Sequence, residues 1–297
     1  MDESGSERLA DRFEEHRGHL RAVAYRMLGS LTEADDAVQE TWLRFHRTDV
    51  AAVRNLGGWL TTIAGRVCLD MLRSRAARRE DPLDGTAAPL PDPVVSREDR
   101  SDPERAALLA DSVGLALLVV LDTLAPAERL AFVLHDMFAV PFEDIAPIAG
   151  RSVDATRQLA SRARRRVRDG APVPDAPPAR QREVVDAFLA ASRDGDFEAL
   201  VAVLDPDVVL RADYGGPAPA GVSTLLRGAR RVAEQAMTFR RVPYGSREPV
   251  VVNGAPGVLN FAADGRPVAL LTWTVAAGRI AAIHILADPT RLAALAP

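Results

Sequence analysis

Residues 142–168 place an apolar helical stripe directly before a glycine and a second, arginine-rich helix, and this order strongly limits the folds open to the chain. Apolar side chains recur in the first segment at the i, i+3, i+4, i+7 spacing of one helical face. Gly150 follows as the turn, and Ser152 is well placed to cap the second helix. We therefore predict a helix-turn-helix. Its predicted buried face consists of Phe142, Ile145, Ala146 and Ala149.

The second helix carries seven arginines between Arg151 and Arg168, separated by short side chains that allow close approach to base edges. Arginine reads guanine and glutamine reads adenine by bidentate hydrogen bonds in the major groove. We predict that this helix binds duplex DNA. An alternative is that some of its arginines only pair with acids such as Asp154 and Asp169. The candidate DNA contacts are Ser152, Arg157, Gln158, Ser161, Arg162 and Arg165, with Arg164, Arg165, Arg166 and Arg168 favoured as phosphate contacts.

Two more apolar helical stripes lie near the N-terminus, one through Leu20 and Met27 and one through Val38 and Phe45. Thr32, with Asp35 three residues later, predicts a capping box that opens the second helix. The opposite face of that helix is acidic and polar, which usually serves solubility. Beside a strongly basic helix, it indicates separate protein-binding and DNA-binding faces. The candidate protein-binding residues are Asp35, Asp36, Gln39 and Glu40.

A basic helix is predicted to begin near Asn55, with Trp59 on its apolar side and Arg66 and Arg73 following. An aromatic ring beside cations suits single-stranded DNA, because a base can stack on the ring while arginine contacts the backbone. We therefore include Trp59, Arg66 and Arg73 among the candidate DNA contacts. The same spacing is equally compatible with Trp59 as a core residue.

Three sequence blocks occur in a recognisable order in the first part of the chain. They are RMLGSLTEADDAVQETWLRF, GGWLTTIAGRVCLDMLRSRAARR and TLAPAERLAFVLHDMFAVPFEDIAPIAGRSVDATRQLASRARRRVR. Together they resemble regions 2 and 4 of bacterial sigma factors, most closely the extracytoplasmic-function (ECF) group of the sigma-70 family. The resemblance covers residues 7–170 and implies a subunit that directs promoter-specific transcription initiation.

Membership would imply core RNA polymerase and promoter DNA as partners. Region 2 would dock on the polymerase clamp helices and melt the −10 element, while region 4 would meet the flap and read the −35 element. The segment DDAVQE at 35–40 matches the core-binding helix, and residues 49–58 match the loop that takes up a flipped base. The −35 site that the resemblance implies is similar to TGTCACA, and the implied −10 site is similar to CGTC. No cofactor, metal or catalytic residue is expected.

Composition agrees with a multidomain protein located in the cytoplasm. The 297 residues suffice for two or three domains. The net charge of −4 hides a local separation, with arginines clustered at 73–79 and 151–168 and acids elsewhere. The single cysteine, Cys68, lies in an apolar helix and excludes a disulfide framework. We expect no signal peptide and no membrane contact, because the longest apolar run, 113–121, is too short to span a bilayer.

Proline-rich and acidic segments divide the chain. We predict two all-α domains, a region 2 helical bundle and a region 4 helix-turn-helix, followed by a C-terminal α+β domain. The predicted ranges are 1–80 for region 2, 81–105 for an acidic linker, 106–170 for region 4, 171–181 for a second linker and 182–297 for the last domain. The first linker is either a plain spacer or an acidic strand that mimics nucleic acid in the positive cleft of the polymerase.

The last domain begins with two apolar helical stripes around Val184 and Leu200, the second extending to Leu204. Strand-like runs follow, separated by NGAPG, ADGRP and AAGR turns, and predict a set of antiparallel strands. This order resembles the SnoaL-like cone fold, in which a curved sheet wraps helices around a pocket. The predicted strands are 208–210, 249–252, 258–261, 268–275 and 279–286.

One subgroup of ECF sigma factors carries such a domain, and three segments here resemble its motifs. They are PLPDPV at 89–94, RADYGGPA at 211–218 and DPTRL at 288–292, each with departures from the subgroup pattern. The resemblance implies that the fused domain performs the regulation and that no separate anti-sigma factor is needed. The candidate interdomain contacts are Leu90, Pro91, Asp92, Asp213, Gly215, Gly216, Asp288, Pro289, Arg291 and Leu292.

Other roles for the last domain stay open at this point. Asp213 and His284 could form an acid-base pair near the pocket mouth, although a histidine in an apolar strand is more often a wall residue. A small-molecule ligand in the pocket is a further possibility. The competing function for the whole chain is a helix-turn-helix regulator with a ligand-sensing domain, which would have no need of region 2.

Overall fold

A computed structural model describes residues 3–48, 53, 55–78, 89–96, 114–170, 172, 175–219, 222, 224–239 and 244–295. The chain divides into two compact units. One comprises Met1–Asp81 and Leu118–Gly170, and the other comprises Pro82–Leu117 and Ala171–Pro297. Across the described residues, no helix has the length and hydrophobicity needed to cross a membrane.

The first unit begins with three helices, α1 (Glu3–Leu28), α2 (Leu31–His46) and α3 (Leu56–Arg78). The predicted capping box at Thr32 is wrong, because the cap lies two residues earlier. Gly29 adopts a left-handed conformation, and Ser30, in extended backbone, accepts a hydrogen bond from the Glu33 amide at 3.5 Å through its hydroxyl. The helix has therefore already begun at Leu31, and Thr32 lies within its first turn.

The three N-terminal helices share an apolar core that is rich in aromatic rings. The rings of Phe13 and Trp42 meet edge to face with their centroids 5.1 Å apart, and the ring centroids of Trp59 and Phe45 are 6.2 Å apart. Cys68 is buried and unpaired, as expected, and burial raises the pKa of its thiol to about 12. The fully enclosed members of the core are Phe13, Leu20, Val38, Phe45, Leu60 and Ala64.

A second group of helices follows. Its elements are α4 (Leu115–Asp122), α5 (Pro126–Phe132), a π-helical turn (Val133–Met137), α6 (Phe142–Ala149) and α7 (Val153–Gly170). The predicted helix-turn-helix is confirmed. Gly150 ends α6 with a φ of 67°, and the Ser152 hydroxyl accepts a hydrogen bond from the Ala155 amide at 3.2 Å. Phe142 is only half-buried, and its ring stacks on that of His135 with the two ring centroids 3.7 Å apart.

Helices α3, α5 and α6 pack together within the first unit. Gly65 permits the close approach, since a Cβ there would lie 2.8 Å from a methyl group of Leu134. Arg129 is 2% exposed; it donates through Nε and Nη2 to the carbonyl oxygen of Arg26, 3.2 Å away in each case, and pairs with Asp122. The arginine thus joins the second helical group to the first across a buried interface.

The second unit is built on one sheet whose described strands number seven. They are β1 (Val95–Ser96), β2 (Leu204–Asp213), β3 (Leu225–Arg227), β4 (Ser246–Val252), β5 (Ala255–Phe261), β6 (Pro267–Ala276) and β7 (Arg279–Leu286). Their spatial order is β1-β4-β5-β6-β7-β2-β3. The purely antiparallel prediction is wrong at one place, since β2 pairs with β7 in parallel, with Leu210 opposite Ile283. β2 and β7 are neighbours in the sheet although four strands, β3 to β6, separate them in sequence, and no local pattern encodes this pairing.

Among the described residues, this unit also contains α8 (Pro178–Asp194), α9 (Phe197–Val203), α10 (Ala229–Phe239) and α11 (Pro289–Ala293). Helix α10 was not predicted, and Leu204, which was predicted to end the preceding helical stripe, begins β2 instead. Residues of α8, α9 and α10 share a core with the sheet. Its members include Phe188 and Leu200 from the helices and Trp273 from β6. The result is the expected α+β domain, with helices packed on one sheet.

Part of the predicted first linker belongs to the sheet. Val95 pairs with Val252 and Ser96 with Val251, so β1 extends the sheet beside β4. Leu90, Pro91, Pro93 and Val94 are buried. Residues 89–96 are therefore not a plain spacer in this structure; the remainder of the predicted linker lies outside the described residues.

Candidate nucleic-acid interface and linker clasp

Helix α7 presents one buried and one open face. Thr156, Ala160 and Ala163 are buried, whereas Gln158, Ser161 and Arg165 are exposed on the opposite side at i, i+3, i+7 spacing. Ser152 is also exposed while its hydroxyl caps the helix. The open face therefore contains a polar strip that can meet base edges or phosphates.

Several arginines of α7 are engaged in ion pairs. Arg157 pairs with Asp154 at 2.9 Å and with Glu143 at 3.1 Å, and Arg168 pairs with Asp169. These pairs match the alternative role considered for the arginine-rich helix. All of them lie on exposed side chains, where an ion pair contributes little stability and can be exchanged for phosphate.

Arg162 and Arg166 share a buried acid that the sequence analysis did not consider. Arg162 Nε lies 2.8 Å from one carboxylate oxygen of Glu128, and Arg166 Nη1 lies 2.9 Å from the other. The Glu128 side chain is only 7% exposed. Glu128 stands thirty-four residues before Arg162 in the sequence, and no short-range signal connects the two.

Replacing Arg162 by alanine is expected to lower the free energy of unfolding by about 1 to 2 kcal/mol, because buried Glu128 would keep only one charged partner. Urea denaturation measures this change. Arg168→Ala removes an arginine from the exposed end of the same helix and should change stability by less than about 0.5 kcal/mol. Equal stability of the two variants would contradict the structural role of the Arg162–Glu128 pair.

On α3 the three candidate DNA contacts have different surroundings. Trp59 is half-buried against the aromatic core, while Arg66 is exposed. Arg73 is exposed and donates through Nη2 to the Ala149 carbonyl oxygen at 3.4 Å. Residues 49–52 and 54 of the predicted base-capturing loop at 49–58 lie outside the described residues.

On the acidic face of α2, some side chains form ion pairs within the chain and others are exposed. Asp35 accepts hydrogen bonds from Arg21, the shorter at 2.6 Å, and Glu40 pairs with Arg44 at 2.9 Å. Asp36 and Gln39 are exposed beside them. The four candidate residues thus form a continuous polar surface that a positively charged partner can reach.

Four residues of the second unit tie the linker to the sheet, and we call Leu90, Asp92, Asp213 and Arg291 the linker clasp. Asp213, at the end of β2, accepts hydrogen bonds through Oδ2 from the Leu90 amide at 2.9 Å and from Arg291 Nη1 at 2.6 Å. Arg291 also donates through Nη2 to Asp92 at 2.8 Å. One guanidinium therefore joins two carboxylates from distant segments of the chain, one in the linker and one at the end of β2.

Helix α11 holds Arg291 in position. Asp288 caps the helix by accepting from the Thr290 and Arg291 amides, and Leu292 is 1% exposed in the apolar core. Gly215, with a φ of 68°, leaves room for this cap, since a Cβ would lie 2.5 Å from the Asp288 carboxylate. Two further predicted contact residues, Gly216 and Pro289, are exposed, and Gly216 has open space beside it.

A second anchor for the linker was not found by sequence reasoning. Asn253 accepts a hydrogen bond from the Val94 amide at 3.0 Å through its side chain, and its own amide donates to the Val94 carbonyl oxygen at 2.9 Å. The residue has a positive φ of 48°, which asparagine tolerates. The Asn-Gly pair indicates a turn, and no local pattern predicts that the asparagine side chain faces the linker.

His284 does not stand at the pocket mouth, so the predicted acid-base pair with Asp213 is wrong there. It is a buried residue of β7, opposite Thr272 on one side and Arg211 on the other, and it borders a small void beneath Leu90 and Pro91. Burial, with a smaller effect of Arg211, lowers its pKa to about 4. The imidazole is neutral at physiological pH and lies on the face of the sheet that the linker covers.

Acidification is expected to weaken the fold through His284. Because its pKa falls from 6.5 to about 4 on folding, the unfolded chain takes up the proton first as pH decreases. The contribution of the neutral imidazole to the free energy of unfolding is fully present above about pH 6.5 and declines towards pH 4. Between pH 7 and pH 5.5 the free energy of unfolding should fall by about 1 kcal/mol. Urea unfolding of the wild type and His284→Phe across this range measures the difference. Parallel pH profiles for the two proteins would contradict the assignment.

Comparison with known proteins accounts for both helical groups and for the sheet domain. Residues 12–78 match Sigma-70 region 2, and residues 114–167 match Sigma-70, region 4. The ECF RNA polymerase sigma factor SigJ of Mycobacterium tuberculosis is 39% identical over 292 residues, covering 94% of this chain and 91% of SigJ. The chain belongs to the ECF sigma factors.

Two further comparisons extend over the whole architecture of this ECF sigma factor. A probable ECF sigma factor SigI of the same species is 37% identical over 278 residues, which cover 93% of the chain and 92% of SigI. The crystal structure of M. tuberculosis SigJ matches with 35% identity and a TM-score of 0.74, covering 96% of this chain and 98% of that one.

Family membership defines the general role of the protein. It is an RNA polymerase sigma factor, and regions 2 and 4 imply interaction with core RNA polymerase and promoter DNA. The competing prediction of a helix-turn-helix regulator is not favoured, because region 2 is present and the full-length relatives are sigma factors.

Proposed function

We propose that this sigma factor regulates itself through its C-terminal domain, which withholds the segment between regions 2 and 4 by means of the linker clasp. The observation that carries the proposal is the pairing of Arg291 with both Asp92 and Asp213. Asp92 belongs to the connection between the two sigma regions, and Arg291 lies 199 residues later. A contact of this kind makes the state of the connection depend on the C-terminal domain.

The linker contact combines three kinds of interaction. Burial of Leu90, Pro91, Pro93 and Val94 supplies the hydrophobic contribution, and β1 adds strand pairing. The clasp then closes the end of the segment with charge-assisted hydrogen bonds. Because the domain is tethered to the chain it binds, its effective concentration is high, and even moderate contacts can keep the linker docked.

We further propose that a fused domain of this kind makes a separate anti-sigma factor unnecessary. The sigma regions would bind the polymerase in the cytoplasm once the linker is released, since the polymerase selects the arrangement in which the linker is free to occupy its cleft. The candidate core-binding surface is the acidic face of α2, with Asp35, Asp36, Gln39 and Glu40.

For promoter recognition we propose the open face of α7 as the −35 reading surface. Gln158 and Ser161 are exposed at its centre and Arg165 follows one turn later. Arg157 and Arg162 remain candidates, and each would exchange an existing carboxylate partner for DNA. We also propose that Trp59, Arg66 and Arg73 contact DNA of the −10 region. To do so, Arg73 would give up its hydrogen bond to the Ala149 carbonyl oxygen.

Replacing Arg165 by alanine is expected to weaken binding to a −35 duplex about tenfold, because one charge-assisted contact with DNA is lost. Fluorescence anisotropy with a labelled duplex measures the change, and a phosphate contact would also reduce the salt dependence of binding. Arg266→Ala removes an arginine that is 73% exposed in the C-terminal domain and serves as the matched control. Unchanged affinity of Arg165→Ala would remove this residue from the surface.

The promoter specificity is tested by run-off transcription with bacterial core RNA polymerase on a library of promoter sequences. We expect transcripts only from templates that share a −35 and a −10 motif at fixed spacing. A folded protein that binds core polymerase and yields no specific transcript, even with the Arg291→Ala change, would contradict the proposed recognition surfaces.

A further inference from the structure

A cavity of about 350 Å³ lies within the C-terminal domain, between the sheet and helices α8 and α10. Its volume is in the lower part of the range found for small-molecule sites. The wall is mainly apolar and aromatic, with Phe188, Phe239, Leu271 and Trp273 among its members. The linker clasp does not line it, so the cavity is a separate feature of the domain.

Two buried polar groups on this wall have no hydrogen-bond partner among the described residues. They are the indole Nε1 of Trp273, a residue with 0% exposure, and Oδ1 of Asn260, with 4% exposure. A buried donor or acceptor left without a partner lowers stability, and such groups are rare in folded proteins. Both residues line the cavity. A molecule inside it can therefore satisfy a donor and an acceptor that the fold leaves open.

The remaining polar groups of the wall restrict the charge of an occupant. Tyr214 and Tyr244 line the cavity, and burial raises the pKa of both phenols, which are therefore neutral at physiological pH. Arg193 and Arg247 also line it, and the Arg247 guanidinium lies 5.0 Å from the centre of the Tyr244 ring. Within the described wall there is neither a carboxylate nor an imidazole that could neutralise a cation.

We propose that this cavity binds a compact, mostly apolar small molecule that carries no positive charge and has a carbonyl or similar acceptor for Trp273 and a hydroxyl or similar donor for Asn260. The apolar wall supplies most of the affinity, as in other small-molecule sites. The two open polar groups select for the matching pattern of acceptor and donor, since an occupant without them would leave both groups buried and unsatisfied.

The site adjoins the linker clasp through the main chain. Tyr214 and Ala287 line the cavity and directly neighbour Asp213 and Asp288, and the Ala287 amide donates to the Asp213 carbonyl oxygen at 2.7 Å. An occupant that displaces either wall residue would shift the ends of β2 and β7 that hold the clasp. This consequence rests on the proposed autoregulation, whereas binding itself does not.

The test measures binding of benzophenone and diphenylmethane to the full-length chain by isothermal titration calorimetry. The two probes have the same rings, but only benzophenone has a carbonyl acceptor. We expect benzophenone to bind at one site and at least tenfold more tightly than diphenylmethane. At least one monohydroxy isomer of benzophenone should bind more tightly still, and Asn260→Leu should remove that additional gain.

Variants locate the site and control for folding. Trp273→Phe should reduce the difference between benzophenone and diphenylmethane to less than twofold. Ala236→Phe fills the cavity from α10 and should abolish binding of both probes, whereas Glu234→Phe, on an exposed position of the same helix, should leave it intact. Ultraviolet cross-linking of bound benzophenone should label peptides that line the cavity.

Two results would overturn the proposal. One is the absence of binding by every probe up to its solubility limit; the other is equal affinity of the two parent probes for the wild type. Neither result depends on polymerase. Unchanged affinity of the clasp variants for core polymerase would instead contradict the proposed autoregulation. The two proposals therefore fail on different measurements.

Discussion

Replacing Arg291 by alanine is expected to release the linker from the C-terminal domain. The change leaves Asp92 and Asp213 without their shared cation, and the Asp213 side chain is only 10% exposed. Breaking such a partly buried arrangement should cost about 3 kcal/mol of docking free energy. Hydrogen exchange measures it directly, because the amides of Leu90 and Val94 donate to Asp213 and Asn253 in the docked state. Their protection should fall about a hundredfold.

The same substitution should increase affinity for core polymerase and raise transcription in proportion to the newly released fraction. A closed state reduces apparent affinity by the fraction of molecules that are competent to bind. Arg266→Ala is the control, since it removes an exposed arginine from the same domain without touching the clasp. If linker protection falls while core affinity and transcription stay at wild-type levels, the clasp holds the linker but does not regulate the protein.

Replacing Arg129 by alanine should lower the stability of the first unit by about 3 kcal/mol, since a buried charge network loses its central member. The Arg26 carbonyl oxygen would lose both Arg129 donors, and Asp122 would lose its partner. Burial lowers the pKa of Arg129, while the nearby Asp122 opposes that shift and favours the charged form. Urea unfolding followed by circular dichroism measures the loss.

Arg168→Ala provides the matched control for Arg129, because it removes a 74% exposed arginine from the same unit. It should leave the unfolding midpoint nearly unchanged. A loss below about 1 kcal/mol for Arg129→Ala would show that the helices of this unit are held together without the buried guanidinium.

The features that could be predicted from sequence depend on residues close to one another along the chain. The left-handed Gly150 and the Ser152 cap follow from local backbone chemistry, and both are present. The buried Ile145 and Ala149 follow from helical spacing. The error at Thr32 is of the same local kind: Ser30, which carries the same capping chemistry, was passed over in favour of the later residue.

The features that escaped prediction join distant residues. Glu128 is paired with Arg162 and Arg166 only because α5 and α7 pack together. Asn253 meets Val94 across 159 residues, and His284 is covered by a linker whose place in the sheet no local signal reveals. Resemblance to the ECF subgroup indicated that Asp92, Asp213 and Arg291 are contact residues. It could not indicate which groups they contact or at what distances.

The sequence by itself determined the order of the domains, the helix-turn-helix and the family, because helical periodicity, capping and motif order are properties of neighbouring residues. Only the tertiary structure decided which arginines of α7 remain open, where the linker docks and which polar groups face an apolar cavity. These depend on burial and on long-range pairing, in which each residue's surroundings are supplied by segments that the chain brings together only on folding.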